Sequence, residues 1–158
     1  MQFKNKITPF LGFKSEAEDA AKFYVSVLPD SRILRTVRNP DTNAVMTVEF
    51  ELAGLTFVAL NTGQPWEFTE AFSLAVACET QAEIDELWAK LLDGGQEMAC
   101  GWLKDRFGVC WQIVPSTIGK MIGDPNPARA KQVFDAMCQM IKLDIAKLQE
   151  AYDGVGEK

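Results

Sequence analysis

The order of secondary-structure elements is clearest around residues 80–91, which read Thr80-Gln81-Ala82-Glu83-Ile84-Asp85-Glu86-Leu87-Trp88-Ala89-Lys90-Leu91. Thr80 and Glu83 have the spacing of a capping box, in which each side chain accepts a hydrogen bond from a backbone N–H at the start of a helix. The apolar residues that follow recur at helical spacing: Ile84, Leu87, Trp88 and Leu91. The segment therefore predicts an amphipathic helix that buries one face.

Strand-like segments lie on both sides of this helix. One precedes it at about 71–78, the pair Gly94-Gly95 ends the helix, and two more strands are predicted at about 97–103 and 109–114. This half of the chain is therefore predicted to have a strand, a helix and then further strands.

The first half of the chain has the same order. A strand at about 3–13 leads to Ser15-Glu16-Ala17-Glu18, a capping box that predicts a helix ended by Pro29. Three β-rich stretches follow, at 32–39, 44–52 and 55–61. The repeated order predicts an α+β fold of paired βαβββ modules, the first over 1–63 and the second over 64–115.

A C-terminal helical extension is predicted over 116–158. Asn126-Pro127 begins a first helix, whose apolar stripe is Val133, Phe134, Met137, Met140 and Ile141. Asp144 caps a second helix, which carries Ile145, Leu148 and Tyr152. Such stripes are typical of helices that pack on their own domain or on a second copy of the chain, and we expect a homodimer.

Composition excludes several classes of function. Because the chain contains no histidine, Ser-His-Asp and Cys-His catalysis, His-ligated metals and imidazole proton transfer are excluded. The net charge is −6 and no cluster of Lys and Arg occurs, so nucleic acid is not an expected partner. No apolar run approaches the about 18–20 residues of a membrane-spanning helix, so a membrane is not expected either.

The cysteines and glycines narrow the possibilities further. Cys78, Cys100, Cys110 and Cys138 are scattered and include no CxxC pair, so no zinc cluster is predicted. The N-terminal segment is charged and lacks the apolar region of a signal peptide, so we expect reduced thiols and a cytoplasmic location. Adenosylmethionine and dinucleotide sites usually require a Gly-rich turn between a strand and a helix. None is present, so no cofactor is expected and methyl transfer is not favoured.

Three stretches carry a family resemblance: Ile7-Thr8-Pro9-Phe10-Leu11, Phe23-Tyr24 and Gly101-Trp102-Leu103-Lys104-Asp105-Arg106-Phe107-Gly108-Val109-Cys110-Trp111-Gln112-Ile113-Val114-Pro115. Together with the two modules, they resemble the PhnB-like branch of the vicinal-oxygen-chelate, or glyoxalase/bleomycin resistance, superfamily. Some members of this branch carry the description 3-demethylubiquinone-9 3-methyltransferase. The resemblance implies the glyoxalase/bleomycin resistance fold, in which a curved sheet forms a cup for a small-molecule ligand.

In metal-dependent members of that superfamily, His and Glu side chains from the first and last strands of each module bind a metal ion in the cup. Counting back from each helix cap, and forward from Gly54 and Gly108, puts Thr8, Val58, Ser73 and Gln112 at those positions. Hydroxyl, isopropyl and amide groups are poor ligands for Zn²⁺ and Mg²⁺. No metal site is therefore expected.

Strand alternation and turn geometry extend the set of candidate site residues. A two-residue turn at Ala53-Gly54 pairs Glu51 with Thr56 and Glu49 with Val58, which places both carboxylates on the face of Thr8 and Phe10. We predict that Glu49 and Glu51 are catalytic. The predicted ligand-binding residues are Thr8, Phe10, Thr56, Val58, Ser73, Trp102, Cys110 and Gln112.

Each candidate also has a purely structural explanation. Two glutamates on an antiparallel strand are often a solvated face. Cys110, without a histidine to lower its pKa, is often a small buried hydrophobic residue, and Trp102 packs in a core as readily as it stacks on a planar ligand. Gln112 is the strongest polar candidate, because an amide buried among apolar groups requires a hydrogen-bond partner.

Three functions stay open on the sequence alone. The first is a metal-independent enzyme in which Glu49 acts as general base toward a small carbonyl compound. The second is a non-catalytic binding or sequestering protein of the bleomycin-resistance type. The third is an interaction module whose cup is filled by its own side chains, Phe10, Leu60 and Trp102.

Overall fold

The computed structural model describes residues 3–154, which divide into a first unit that ends at Glu67 and a second that begins at Phe68. Each unit contains one four-stranded sheet and one helix between its first and second strands in the chain. The α+β fold of two βαβββ modules with C-terminal helices is therefore confirmed. No helix among these residues is long and apolar enough to cross a membrane.

The first unit runs β1 (Phe10–Phe13), α1 (Ala17–Val27), β2 (Arg32–Arg38), β3 (Val45–Leu52) and β4 (Leu55–Asn61). Its sheet has the order β1-β4-β3-β2, in which β1 is parallel to β4 and the other neighbours are antiparallel. The helix packs on one face of this sheet, where the rings of Tyr24 and Phe50 lie 6.2 Å apart. Both residues are fully buried.

The predicted capping box at Ser15-Glu16-Ala17-Glu18 is wrong. Glu16 is the cap residue of α1 and makes no side-chain capping bond, and Ala17 N–H donates instead to Oδ1 of Asn61 at 2.9 Å. The reason is sheet pairing: Asn61 ends β4 beside Phe13 at the end of β1, so its amide reaches the first turn of the helix. The strand predicted at 3–13 is correspondingly shorter, and only Phe10–Phe13 is paired.

The second unit repeats this arrangement with β5 (Ser73–Cys78), α2 (Gln81–Leu92), β6 (Gln96–Glu97), β7 (Trp102–Lys104) and β8 (Cys110–Pro115). The sheet order is β5-β8-β7-β6, the counterpart of the first. Thr80 caps α2 as predicted, with its hydroxyl accepting from Glu83 N–H at 3.1 Å. The strand predicted at 97–103 is interrupted by a turn in which Cys100 and Gly101 have φ of 63° and 82°.

A buried carboxylate fixes the hairpin between β7 and β8. Asp105 is 3% exposed, and its side chain accepts from Phe107 N–H at 2.8 Å, Val109 N–H at 3.1 Å and Trp111 Nε1–H at 2.8 Å. The stretch 105–111 therefore folds around one side chain, which sets the direction in which β8 enters the sheet.

Three helices follow β8: α3 (Ile118–Ile122), α4 (Pro127–Cys138) and α5 (Ile145–Asp153). Asn126 and Asp144 cap α4 and α5 as predicted, and a small core forms from Met121, Val133, Leu143 and Leu148. The predicted stripe is only partly right, because α4 ends at Cys138 and leaves Met140 and Ile141 beyond it. The dimeric state and the cytoplasmic location stay predictions.

Candidate functional site

The hairpin of β3 and β4 brings four of the predicted site residues together. Glu51 pairs with Thr56 and Glu49 pairs with Val58, so the predicted register is confirmed. The turn residues Ala53 and Gly54 both have positive φ, as a tight hairpin of this kind requires. These four side chains lie opposite the face that packs on α1, and we call the face they share, with Phe10 beside Val58, the polar face of the first sheet.

Aromatic side chains flank this polar face along β1. Phe10 is 45% exposed and its ring lies 6.4 Å from that of Phe3. Two residues farther on, a Cβ added to Gly12 would lie 3.2 Å from Cε3 of Trp66, so the indole packs over the backbone there. Trp66 is 64% exposed. Sequence reasoning missed Trp66, because the only signal was a glycine in a strand, which marks a close approach without naming its partner.

Two side-chain oxygens on this face, Glu51 Oε2 and Thr56 Oγ1, are buried and have no hydrogen-bond partner among the described residues. The same holds for Thr8 Oγ1, two residues before Phe10 in the chain. Glu51 Oε2 has an ion-pair contact with Lys4 Nζ at 3.5 Å, which is too long and too exposed on the lysine side to replace a hydrogen bond. All three residues belong to the predicted site. The one other such atom between residues 3 and 154, Arg129 Nε, lies on α4 in the second unit.

On the corresponding face of the second sheet, the polar side chains more nearly satisfy each other's hydrogen bonds. Ser73 and Cys110 are register partners, and Gln112 lies between Ala75 and the half-buried Trp102. The Gln112 amide donates to Ser73 Oγ at 2.9 Å. The amide therefore has a partner within the protein, and its need for a ligand is smaller than the sequence suggests.

Cys110 has the features of a structural residue. It is fully buried, and burial raises the pKa of its thiol more than the nearby Lys104 lowers it. The Lys104 ammonium is itself engaged with Glu70 at 3.3 Å. A buried thiol with a raised pKa is a poor nucleophile.

The side chains at the four positions that correspond to metal ligands in metal-dependent members of the superfamily do not suit a metal ion. Thr8 and Val58 offer a hydroxyl and an isopropyl group, and Ser73 and Gln112 are bonded to each other. Across residues 3–154 no three Cys, Asp or Glu side chains form a metal-binding group.

Two surface clefts among the described residues lie away from the predicted site residues. One of about 600 Å³ is at the start of α1, where Arg38 and Glu18 form an ion pair at 3.2 Å. Another, of about 450 Å³, lies beside the ion pair of Lys142 and Asp85. Neither cleft is lined by a residue with a buried side-chain polar atom that lacks a hydrogen-bond partner, so the polar face of the first sheet is the stronger candidate.

The sequence matches the family model described as 3-demethylubiquinone-9 3-methyltransferase over residues 5–114. No curated protein matches the sequence of this chain. A solved Bacillus cereus structure described as a PhnB protein of that family is 34% identical, with a TM-score of 0.65 over 70% of this chain and 99% of that one. A Pseudomonas aeruginosa protein shares the fold at 20% identity and a TM-score of 0.61, with 71% of this chain and 98% of that chain covered. The fosfomycin resistance protein FosX from Listeria monocytogenes also shares the fold, at 12% identity and a TM-score of 0.54, with 71% of this chain and 92% of that chain covered.

Proposed function

This chain belongs to the 3-demethylubiquinone-9 3-methyltransferase family, in its PhnB-like branch, and we propose that it binds a small organic ligand on the polar face of its first sheet. The fold supports such a role, because sheet faces in this superfamily carry binding sites.

The observation that carries the proposal is the group of unpartnered oxygens of Thr8, Glu51 and Thr56. Leaving a buried polar group without a hydrogen bond costs about 1–3 kcal/mol, and native proteins contain few such groups. Thr56 is 2% exposed, so its hydroxyl is well removed from bulk water. A ligand that supplies the missing hydrogen bonds recovers this free energy on binding.

Glu49 supplies the chemistry if the ligand reacts. Its carboxylate is half-buried and makes no hydrogen bond or ion pair with another described residue, so it is available to accept a proton from a bound molecule. Binding is the primary proposal, and general-base catalysis by Glu49 is its extension. Sequestration without turnover is the alternative, distinguished by whether the bound compound is recovered unchanged.

A homodimer is proposed as the assembly. Apolar side chains remain exposed after β8, with Phe134 at 50% and Ile141 at 46%. Covering them against a second copy would bury apolar area that is otherwise in water. Sedimentation equilibrium is expected to give twice the mass of the chain.

Native mass spectrometry tests the binding proposal. The purified protein is incubated with the low-molecular-mass fraction of a cell extract and desalted, and we expect it to retain a compound. Glu51→Gln should retain less of that compound, because the carboxylate acceptor is lost, whereas Glu97→Gln, an exposed substitution of the same kind, should retain the same amount. A protein that retains nothing would contradict the proposal.

A further inference from the structure

Two arginines on the neighbouring strand stand beside the glutamates of the polar face. β2 is an edge strand, and the register pairs Arg32 with Glu51 and Arg35 with Glu49. Side chains directly opposite on paired strands have Cβ atoms about 4.5–5.5 Å apart, within reach of an ion pair. Yet among the described residues neither arginine has an ion pair within 4.0 Å, and both are exposed.

The third arginine of the strand is different. Arg38 contacts Glu18 at 3.2 Å and donates to the Asn43 carbonyl at 3.2 Å, so its guanidinium is already engaged. Charged residues on an edge strand commonly prevent pairing with other strands, and that role would be served by all three equally. The contrast between Arg38 and the other two singles out the part of the strand next to Glu49 and Glu51.

Local charge favours an anion at this place. Lys4, Arg32 and Arg35 bring three positive charges to the neighbourhood of two carboxylates, in a chain whose net charge is −6. Guanidinium groups bind carboxylate and phosphate-like groups through paired hydrogen bonds. An anionic group of the ligand is therefore expected over β2, away from the repulsion of the glutamates.

The unpartnered oxygens require a different group on the same ligand. An ionised carboxylate such as Glu51 only accepts hydrogen bonds, so Oε2 needs a donor, and the Thr56 hydroxyl next to it both donates and accepts. A ligand hydroxyl satisfies both. Since neighbouring strands are about 4.8 Å apart, the hydroxyl and the anionic group must lie close together on the ligand.

We propose that the ligand is an organic anion with a hydroxyl group close to its charge, as in an α-hydroxy acid, held at its charge by Arg32 and Arg35 and at its hydroxyl by Glu51 and Thr56. This inference rests on the proposed function and adds to it the chemical class of the compound. Phe10, which is exposed on the far side of β4, would contact an apolar substituent.

Isothermal titration with three matched compounds tests this assignment. Mandelate carries the carboxylate, the hydroxyl and a phenyl ring; mandelamide lacks the charge; and phenylacetate lacks the hydroxyl. We expect mandelate to bind more tightly than either, by about tenfold or more, the change expected from losing one hydrogen bond to a charged group.

Three variants of one strand provide the control. Arg32→Gln and Arg35→Gln should each weaken mandelate binding about tenfold and leave mandelamide binding unchanged, whereas Arg38→Gln should leave both unchanged. Mandelamide binding as tightly as mandelate, or an equal loss in Arg38→Gln, would overturn the anion assignment. If Glu51→Gln still lowers the affinity for those compounds, the proposed function survives that result. If none of the three compounds binds, the assignment fails, and retention from the cell extract decides separately on the proposed function.

Discussion

Thr56 stands directly opposite Glu51 across the paired strands β3 and β4, and each residue has a buried oxygen with no hydrogen-bond partner between residues 3 and 154. Their neighbours on the other face of the hairpin, Phe50 and Phe57, stack at 5.6 Å and need no polar partner. The hairpin therefore has one apolar face that needs no further hydrogen bonds and one face with buried oxygens that lack them. This asymmetry is the physical basis for a binding site on the polar face.

Replacing Thr56 by valine should stabilise the unliganded protein. Valine has nearly the same shape, and the substitution removes a buried hydroxyl that has lost its bonds to water, so the free energy of unfolding should rise by about 1–2 kcal/mol. Urea denaturation of the ligand-free protein measures the change.

Thr62→Val is the matched control for that substitution. The Thr62 hydroxyl donates to Phe13 O at 3.1 Å and accepts from Gln64 N–H at 3.0 Å, so its loss should lower the free energy of unfolding by about 1 kcal/mol. The opposite signs are the prediction. Destabilisation of similar size in both variants would mean that Thr56 has a partner.

Glu49→Gln separates binding from catalysis. The amide keeps the size of the side chain and one acceptor oxygen but does not act as a base at neutral pH, so we expect ligand affinity within about threefold of wild type and turnover lowered about 10²–10⁴-fold. Quantifying the retained compound and its product over time measures both. If product forms at the wild-type rate, Glu49 is not the base, and if no product forms with either protein, the chain is a binding protein.

Asn61→Ala tests how the helix α1 begins. The Asn61 side chain accepts from Ala17 N–H and also donates to Val45 O at 3.1 Å, so its removal should cost about 1–2 kcal/mol of unfolding free energy. Ser15→Ala should change it by less than about 0.5 kcal/mol, because no side-chain bond of Ser15 caps the helix. A larger effect at Ser15 than at Asn61 would restore the capping box that the sequence indicates.

Ser15 and Asn61 also show what the sequence could and could not predict. Local patterns were enough for the order of strands and helices, the Thr80 cap and the Glu51–Thr56 register, because each depends on residues close in the chain. The cap of α1 depends on Asn61, which is 44 positions away from Ala17, and no local pattern contains it. The packing of Trp66 over Gly12 and the pairing of the arginines with Glu49 and Glu51 depend on tertiary structure in the same way. So does the hydrogen bond from Gln112 to Ser73, which lies on another strand.

Asp105→Ala should destabilise the protein strongly. It leaves the N–H groups of Phe107, Val109 and Trp111 without their acceptor in a buried hairpin, at a cost of about 3–5 kcal/mol. Asp105→Asn retains one acceptor oxygen and should lose less. Asp41→Ala, at an exposed turn position, should stay within about 0.5 kcal/mol of wild type in thermal or urea unfolding, and a loss at Asp105 no larger than at Asp41 would contradict the structural role.

Thiol labelling distinguishes a structural Cys110 from a nucleophilic one. Burial raises the pKa of the Cys78 thiol to about 12, and burial likewise raises the pKa of Cys110, so both stay protonated at pH 8. Iodoacetamide should therefore modify the exposed Cys138 first, and labelling of Cys78 and Cys110 should require unfolding or a much higher pH. Peptide mass mapping identifies the sites, and rapid labelling of Cys110 in the folded protein at pH 8 would contradict the structural assignment.

The most direct test of a binding site on the polar face is to locate the retained compound there. Native mass spectra of wild type, Thr56→Val and Thr62→Val, each incubated with the same small-molecule fraction and each shown to be folded, are compared for bound mass. We expect wild type and Thr62→Val to retain the compound and Thr56→Val to lose most of it, although Thr56→Val should be the most stable of the three. Equal retention by Thr56→Val and wild type, or no retention by any of them, would contradict a binding site built on the unpartnered oxygens of this face.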